Sequence, residues 1–298
     1  MTLGLGEILG FFSFWMGAII ASFLNVVIWR VPRGESIVRP PSHCPKCGAA
    51  IRWYQNIPIL SWLALRGKCA NCKHPISPRY ILIELLGGVL FLAVFGRFVP
   101  NLFSVQGALI PFQPGIFFVG GDGFALCVAW TWIALMIVGS MIDFDHKLLP
   151  DFVTVGGMVL GGVVGAGDSV GLFRAGDALW WQPIVWSLGG LAFGFGLLWL
   201  VRWLGTKVFR REAMGMGDVF LMGAVGALYG PVAVLVTLIL SSVFGSVVGV
   251  GMIVLAKAKL GKFVEIPYGP YICLGCLCWM FWGAELVGWY LGLMVARG

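Results

Sequence analysis

Carboxyl groups at the ends of apolar runs are the side chains of this sequence best suited to chemistry. The stretch GSMIDFDHKLLPD closes a long apolar run and contains Asp143, Asp145, His146 and Asp151. A second stretch, GMGD, places Asp218 behind two glycines, which leave room for a peptide backbone beside the carboxylate. Ionisable groups inside or just beneath a membrane boundary are costly and usually functional, so these aspartates are candidate catalytic residues.

Two of these aspartates fall at the ends of separate predicted helices on the same face of the membrane, namely Asp143 after the end of its helix and Asp218 at the start of its own. A carboxyl pair can hydrolyse a peptide bond when one member is ionised and takes a proton from water. The other member must be protonated to polarise the scissile carbonyl. We therefore predict that Asp143 and Asp218 form the dyad of an aspartyl peptidase. Asp151 precedes an apolar run and is expected to cap a helix, whereas Asp145 and His146 can be solvated residues of the intervening turn.

A second group of reactive side chains consists of two CxxC pairs, with the ligands Cys44, Cys47, Cys69 and Cys72. Thiolates at this spacing can chelate one tetrahedral Zn(II), and a site closed by four sulfurs is structural rather than catalytic. Two disulfides are the alternative, but a reducing cytosolic location argues against them. The predicted zinc would replace the hydrophobic core that so short an insert cannot build.

The elements that carry these residues are membrane-spanning helices. Of the 298 residues, 59% are hydrophobic and only 11% are charged, whereas roughly a quarter are charged in soluble domains. Apolar segments of about 20 residues recur, and the alternation typical of a membrane barrel is absent. We predict an all-α polytopic membrane protein of about eight transmembrane helices with a small cytoplasmic zinc-binding insert. The predicted spans are roughly 8–29, 80–99, 124–142, 152–167, 183–205, 218–230, 232–255 and 268–295.

Lysine and arginine set the expected orientation. The insert between the first two spans and the later basic connections fall on one face, and only Arg97, Arg174 and Arg297 fall on the other. The positive-inside rule makes the basic face cytoplasmic. The formal charge of +7 is therefore interpreted as topology and lipid contact. A nucleic-acid partner is not expected, because no basic stripe with interleaved aromatic residues is present.

The combination of motifs resembles the bacterial type IV prepilin peptidases, which also serve type II secretion. The matching stretches are ASFLNVVIWRVPRGES, the paired CxxC with NIPILSWLALRGKC between them, ISPRYILIELLGG, IDFDHKLLPD, GMGD and IPYGPY. The resemblance implies a protein of the bacterial inner membrane whose active site faces the cytoplasm. Its substrates would be prepilins or pseudopilins, which lose a short basic leader just after a Gly. The new N-terminal residue would then be methylated with S-adenosylmethionine.

By motif matching, the resemblance puts the protease pair on Asp143 and Asp218 and the zinc ligands on the four insert cysteines. It places Gly67 of RGKC in the methyltransfer region and matches Glu84 to an acidic position near the membrane surface. The implied division is a first transmembrane helix at 1–31, a zinc-binding insert associated with methyltransfer at 32–79, and a protease bundle at 80–298.

Some residues depart from the usual family pattern. Phe220 replaces a Lys after GxGD, Arg66 precedes Gly67 where a Gly is usual, and Ala21 stands for a Gly. Loss of the Lys removes a cation near the expected dyad, and Arg66 makes methyltransfer a weaker expectation than proteolysis.

Three other functions compete with the peptidase. A transporter or cation-binding membrane protein would need acidic groups at mid-membrane depth, but here they cluster at one face. A metal-dependent lipid phosphotransferase could use the DxD pair, yet it gives no reason for GMGD. A zinc-bearing scaffold without chemistry would tolerate Asn at positions 143 and 218.

Overall fold

The computed structural model describes residues 5–98, 122–169, 181–212, 214–255 and 267–295. The described residues form eight α-helices. These are α1 (Leu5–Arg30), α2 (Leu60–Ala64), α3 (Arg79–Phe98), α4 (Asp122–His146), α5 (Asp151–Ser169), α6 (Gln182–Phe209), α7 (Met216–Leu255) and α8 (Gly269–Val295). Two 3₁₀ turns, Val31–Arg33 and Trp53–Gln55, lie in the insert between α1 and α3.

Six of these helices are long and apolar enough to cross a membrane, namely α1, α3, α4, α6, α7 and α8. The apolar part of α5, Asp151–Gly167, is shorter than these six spans. No strand occurs among the described residues, which contain only two isolated β-bridges, His43 with Ala50 and Lys68 with Pro75. The predicted all-α, multi-pass membrane class is confirmed.

The long helix α7 consists of two helical arms that meet at Gly230. Gly230 interrupts it with φ 79° and ψ −179°, a conformation open to glycine, and Pro231 follows. In an unbroken helix, residues 226 and 234 would lie about 12 Å apart along the axis. Instead, a Val234 methyl carbon lies only 3.1 Å from where a β carbon on Gly226 would be. The chain therefore folds back at Gly230, which agrees with the two spans predicted at 218–230 and 232–255.

The first arm of α7 is covered on every side. All residues from 221 to 230 are buried, because small residues let neighbouring backbones approach closely. Gly190 of α6 meets the backbone of Gly226, and Gly161 of α5 lies against Ala227. The Ser187 hydroxyl lies 2.9 Å from the Ala227 carbonyl oxygen and 3.1 Å from that of Gly161. This short, Gly-rich segment packs inside the bundle, as the sequence had suggested.

The chain divides into two compact units. The first takes the described residues up to Phe98 together with 122–138, and the second takes the described residues from Gly139 onward. In the first unit, α1 packs along α3 through Gly17 and Gly87. In the second, α5, α6, α7 and α8 pack together. These packing units do not follow the predicted functional division at 1–31, 32–79 and 80–298, which remains a prediction.

Candidate active site and metal centre

Asp143 lies in the last turn of α4 and is buried, with 6% of its surface exposed. Its Oδ2 atom accepts a hydrogen bond of 2.9 Å from the backbone N–H of Gly269, the first residue of α8. Helix α4 continues to His146, so Asp145 and His146 belong to its last turn, whereas the sequence analysis had assigned them to the following connection. Both of these side chains are exposed.

Asp218 lies in the first turn of α7, as predicted, and is 7% exposed. Its Oδ1 atom is buried and has no hydrogen-bond partner among the described residues. The GMGD sequence brings the chain close to this carboxyl, because a β carbon on Gly215 would lie 3.6 Å from Asp218 Oδ2. A buried carboxyl oxygen without a partner is costly, and such groups are common where a substrate or water supplies the missing bond.

Leu149 joins the surroundings of the two aspartates. A β carbon on Gly217, which precedes Asp218, would lie 2.7 Å from Leu149 Cβ. A β carbon on Gly269 would lie 3.1 Å from Leu149 Cδ1 and 2.8 Å from Asp143 Oδ2. The structure thus brings the two predicted dyad residues into one neighbourhood, on the ends of α4 and α7.

Two residues of this neighbourhood were missed by the sequence analysis, namely Leu149 and Gly269. The IPYGPY motif was quoted for the resemblance but received no role, although its glycine supplies the N–H that Asp143 accepts. Asp151 is the first residue of α5 and is exposed, consistent with its expected place at a helix start. Phe220 packs against Phe195 of α6, with ring centroids 5.5 Å apart.

Replacing Gly269 by Ala should slow peptide cleavage. The added methyl group would meet Asp143 Oδ2 and Leu149 Cδ1, so either the carboxyl group or the start of α8 must shift. A displacement approaching 1 Å can lower kcat by roughly ten- to a hundredfold. The matched control is Gly288→Ala in the same helix, where a β carbon meets nothing within 4 Å. Equal kcat values for the two variants would contradict this role of Gly269.

The four insert cysteines form one cluster. Their sulfur atoms all lie within 4.8 Å of one another, and Cys44 Sγ and Cys72 Sγ are 3.8 Å apart. In a tetrahedral site with Zn–S bonds of about 2.3 Å, two sulfurs are separated by about 3.8 Å. None of the eight cysteines, which all belong to the described residues, forms a disulfide, so the structure favours a metal site over two disulfides. Four thiolates fit Zn(II) in both number and type of ligand.

The two CxxC pairs sit in turns of the same construction. In the first, Cys44 N–H donates to the Ala49 carbonyl and Gly48 N–H donates to that of Cys44. In the second, Cys69 N–H donates to His74 and Lys73 N–H donates to Cys69. Each turn closes with a residue of positive φ, 67° at Gly48 and 59° at Lys73. The backbone therefore presents each cysteine pair in the same way, as chelation by two pairs requires.

Hydrogen bonds favour the metal-binding thiolate form at Cys47 and Cys69, whereas burial and the neighbouring thiols raise the pKa of Cys72 to about 11. The backbone of Ala49 and the side-chain amide of Asn71 lower the pKa of Cys47 to about 6. The amide nitrogen of Asn71 lies 3.7 Å from Cys47 Sγ. Backbone hydrogen bonds from Cys72 and Asn71 also lower the pKa of Cys69. Since the thiolate is the ligand, these contacts prepare the site for metal.

Gly67 turns the chain from α2 into the second cysteine pair. It is buried at φ 65°, and a β carbon there would lie 2.8 Å from the Trp62 ring. Its N–H donates to the Trp62 carbonyl at 2.8 Å, and its own carbonyl accepts from Ile76 at 2.7 Å. These contacts give Gly67 a structural part in presenting Cys69. Its predicted part in methyltransfer remains a prediction.

Gly67→Ala should weaken zinc retention more than Gly48→Ala does. Both substitutions force a side chain into positive φ, at a cost of about 1–2 kcal/mol each. Only Gly67→Ala also collides with Trp62, because a β carbon on Gly48 meets nothing within 4 Å. Overpacking adds about 1–3 kcal/mol. Zinc release against a coloured chelator measures the difference, and equal release from both variants would contradict the packing argument.

Buried polar side chains of α1 and α3 hold the insert. Glu84 Oε2 accepts a 2.8 Å hydrogen bond from the backbone N–H of Ile59, which precedes α2. Arg30 donates to the carbonyls of Ser36 and Pro40, at 2.9 and 2.8 Å. A cavity of about 480 Å³ opens between α1 and the insert, and its lining includes Phe23, Arg30, Ser42, Trp53 and Asn56. Small-molecule sites typically measure about 300–1,000 Å³, so this cavity could hold a cofactor.

A multi-pass helical bundle with two buried carboxyls at helix ends and a tetracysteine insert defines the class of membrane-embedded aspartyl peptidases. Comparison with known protein families identifies the particular family. A profile described as the bacterial peptidase A24 N-terminal domain matches residues 15–98, and one described as the type IV leader peptidase family matches residues 130–250. The chain belongs to the type IV leader peptidase family.

Relatives named prepilin leader peptidase/N-methyltransferase match most of the chain. The protein of Myxococcus xanthus is 40% identical over 87% of this chain and 68% of its own length. That of Stutzerimonas stutzeri is 36% identical over 93% of this chain and 91% of its own. That of Pseudomonas aeruginosa is 33% identical, with the same coverage of 93% and 91%. No solved structure matches the chain.

Proposed function

We propose that this protein removes the basic leader from prepilins or pseudopilins and then methylates the new N-terminal residue with S-adenosylmethionine. Both reactions would take place at the cytoplasmic face of the bacterial inner membrane. The observation that carries the peptidase proposal is that Leu149 links the surroundings of two buried aspartates. Leu149 lies against Gly217, which precedes Asp218, and against Gly269, whose N–H donates to Asp143. The names of the relatives support both the substrate class and the second reaction.

Cleavage requires the two carboxyls to act in different protonation states. The ionised member takes a proton from a water molecule, whose oxygen attacks the carbonyl carbon of the scissile bond. The protonated member donates a hydrogen bond to the carbonyl oxygen and stabilises the negative charge that develops there. The carboxyl that took the proton from water passes it to the nitrogen of the scissile bond as the tetrahedral species collapses. The C–N bond breaks, the leader leaves with a new carboxylate, and the mature chain keeps a free amino group. The Gly269 N–H holds the Asp143 carboxyl in place during these steps.

The topology of such a substrate suits a site at the membrane boundary. A prepilin has a basic leader followed by an apolar helix, and the positive-inside rule retains the leader on the cytoplasmic side. The apolar helix can lie in the bilayer beside the spans. The bond between leader and helix would then lie at the membrane boundary, where α4 ends and α7 begins.

We place methyl transfer in the first unit, with the methyl donor in the cavity between α1 and the insert. Trp53 offers an aromatic face, and Arg30, Ser42 and Asn56 offer polar groups. S-adenosylmethionine supplies an electrophilic methyl group on sulfur. The uncharged amino group of the mature chain forms the new N–C bond and loses a proton, while the sulfur keeps the electron pair and leaves as a thioether. The zinc held by the four cysteines would be structural and would keep the insert folded beside the cavity.

One experiment separates the two reactions. The purified protein is incubated in detergent with a prepilin, with and without S-adenosylmethionine, and the product is read by mass spectrometry. Leader loss in both samples and one extra methyl group only with the donor would support the proposal. Intact prepilin in both samples would contradict it. Irradiation with labelled S-adenosylmethionine in the same sample locates the donor, and labelling confined to the second unit would contradict its placement.

A further inference from the structure

An arginine of the apolar helix α6 contacts the segment that leads into GMGD. Arg202 belongs to the membrane-length span Gln182–Phe209, and 26% of its side chain is exposed. A cation is costly in such a helix unless its hydrogen bonds are satisfied within the protein. The sequence analysis used Arg202 only for orientation, and the peptidase mechanism above does not involve it.

The polar contacts of Arg202 go to the residues just before Asp218. Its Nε donates to the backbone carbonyl of Met214 at 2.9 Å, and one terminal nitrogen lies 3.7 Å from Met216 Sδ. The other terminal nitrogen pairs with Glu212 Oε1 at 3.3 Å. A single guanidinium therefore touches the chain at three positions within five residues, immediately upstream of the dyad residue.

The contacts of Arg202 differ in how strongly they stabilise the segment. The Glu212 side chain is 81% exposed, and ion pairs in water contribute little. The bond to the Met214 carbonyl is short, half-buried and charge-assisted, which makes it the stronger of the two. We expect the carbonyl bond, and not the ion pair, to fix the segment.

The segment that Arg202 contacts connects two helices. The described residues 210–212, 214 and 215 lie outside helices, and glycines stand at 215 and 217. Glycine permits many backbone conformations, so this connection depends on side-chain contacts to select one of them. On its far side, Gly217 is in contact with Leu149, which also contacts the residue that holds Asp143.

We propose that Arg202 is a positioning residue for cleavage, which clamps the Met214 carbonyl so that Asp218 enters α7 facing Asp143. The proposal rests on the proposed peptidase function. It assigns Arg202 no contact with the substrate, so it concerns the chemical step and not substrate binding.

The test compares Arg202→Ala, Arg202→Lys and Glu212→Gln with Lys207→Gln. Lys207 lies on the same helix, and its ammonium group lies 3.8 Å from the centroid of the Trp203 ring. Lys207→Gln therefore removes one positive charge from α6 without touching the contacts of Arg202, which makes it the matched control. Arg202→Ala should lower kcat on the order of 10²-fold with little change in KM, because the dyad is misplaced. Arg202→Lys should recover part of this loss, since an ammonium group can still donate to Met214. Glu212→Gln should stay within about fivefold of the unmodified protein.

Two further readouts separate positioning from general loss of structure. The pH profile of kcat should change shape in Arg202→Ala, because the two carboxyls no longer influence each other as before, and should be retained in Lys207→Gln. Hydrogen exchange of the amides at 210–218 should rise in Arg202→Ala while zinc content stays constant. A raised KM with unchanged kcat, or unchanged exchange in this segment, would overturn the proposal. The exchange experiment needs no substrate, so it stands even if the protein fails to cleave a prepilin.

Discussion

Replacing either Asp143 or Asp218 by Asn is expected to lower leader cleavage on the order of 10³-fold. An amide can neither take a proton from water nor donate one as an acid does, so each substitution removes one half of the dyad. The fold should persist, because Asn has the shape of Asp, and the side-chain carbonyl introduced by Asp143→Asn can still accept the Gly269 N–H. Single-turnover cleavage of a prepilin, followed by mass spectrometry, measures the loss.

The control for this prediction is Asp145→Asn, an exposed carboxyl two residues from Asp143 on the same turn of α4. Its cleavage rate should be close to that of the unmodified protein. If Asp143→Asn and Asp218→Asn both retain cleavage, the two aspartates are not the dyad, and a scaffold without chemistry becomes the better interpretation. If Asp145→Asn is as inactive as the other two, acidity near the end of α4 matters in general and the pair has no special role.

Cys69→Ser should have the largest effect on the insert. The unmodified protein is expected to carry about one zinc per chain, and loss of one thiolate from a four-sulfur site should remove most of it. Zinc binding contributes about 10–16 kcal/mol to small metal domains of this kind, which is most of the stability of so short an insert. Metal analysis and limited proteolysis between residues 40 and 77 measure the loss of metal and of structure.

This substitution should also separate the two activities. The cysteine cluster lies in the first unit, whereas Asp143, Asp218 and their neighbours lie in the second. Methylation should therefore fall more than cleavage does. Cys127→Ser is the control, because Cys127 is exposed on α4 and lies outside the cluster. An equal fall in both reactions would mean that the insert also serves the peptidase.

Much of this organisation can be predicted from the chain because membranes impose strict rules. Apolar length located the long helices, and the boundary between the spans predicted at 218–230 and 232–255 coincides with the fold-back at Gly230. The cysteine spacing likewise predicted a cluster, because two CxxC turns leave few alternatives. The expected pair of aspartates came from their place at helix ends.

Other parts of the site could not be predicted from the sequence, because they depend on tertiary packing and on backbone groups. The hydrogen bond from Gly269 to Asp143 joins residues 126 positions apart. Because every residue except proline has a backbone N–H, the residue type does not reveal which one donates. Leu149 resembles any apolar residue, and its contact with two glycines depends on how the helices pack. Arg202 was counted only as a positive charge, because its acceptor is the Met214 carbonyl. Glu84 was matched only to an acidic position near the membrane surface, and its contact, in which Oε2 accepts the Ile59 N–H, could not be read from the sequence.

The fold-back at Gly230 has a consequence for how the protein is made. Its first arm has no surface left for lipid, since residues 221–230 are all buried. Two of the helices that cover this arm, α5 and α6, precede it in the chain and so leave the ribosome first. Asp143 and Asp218 can therefore approach each other only after α4, α5 and α6 have been made.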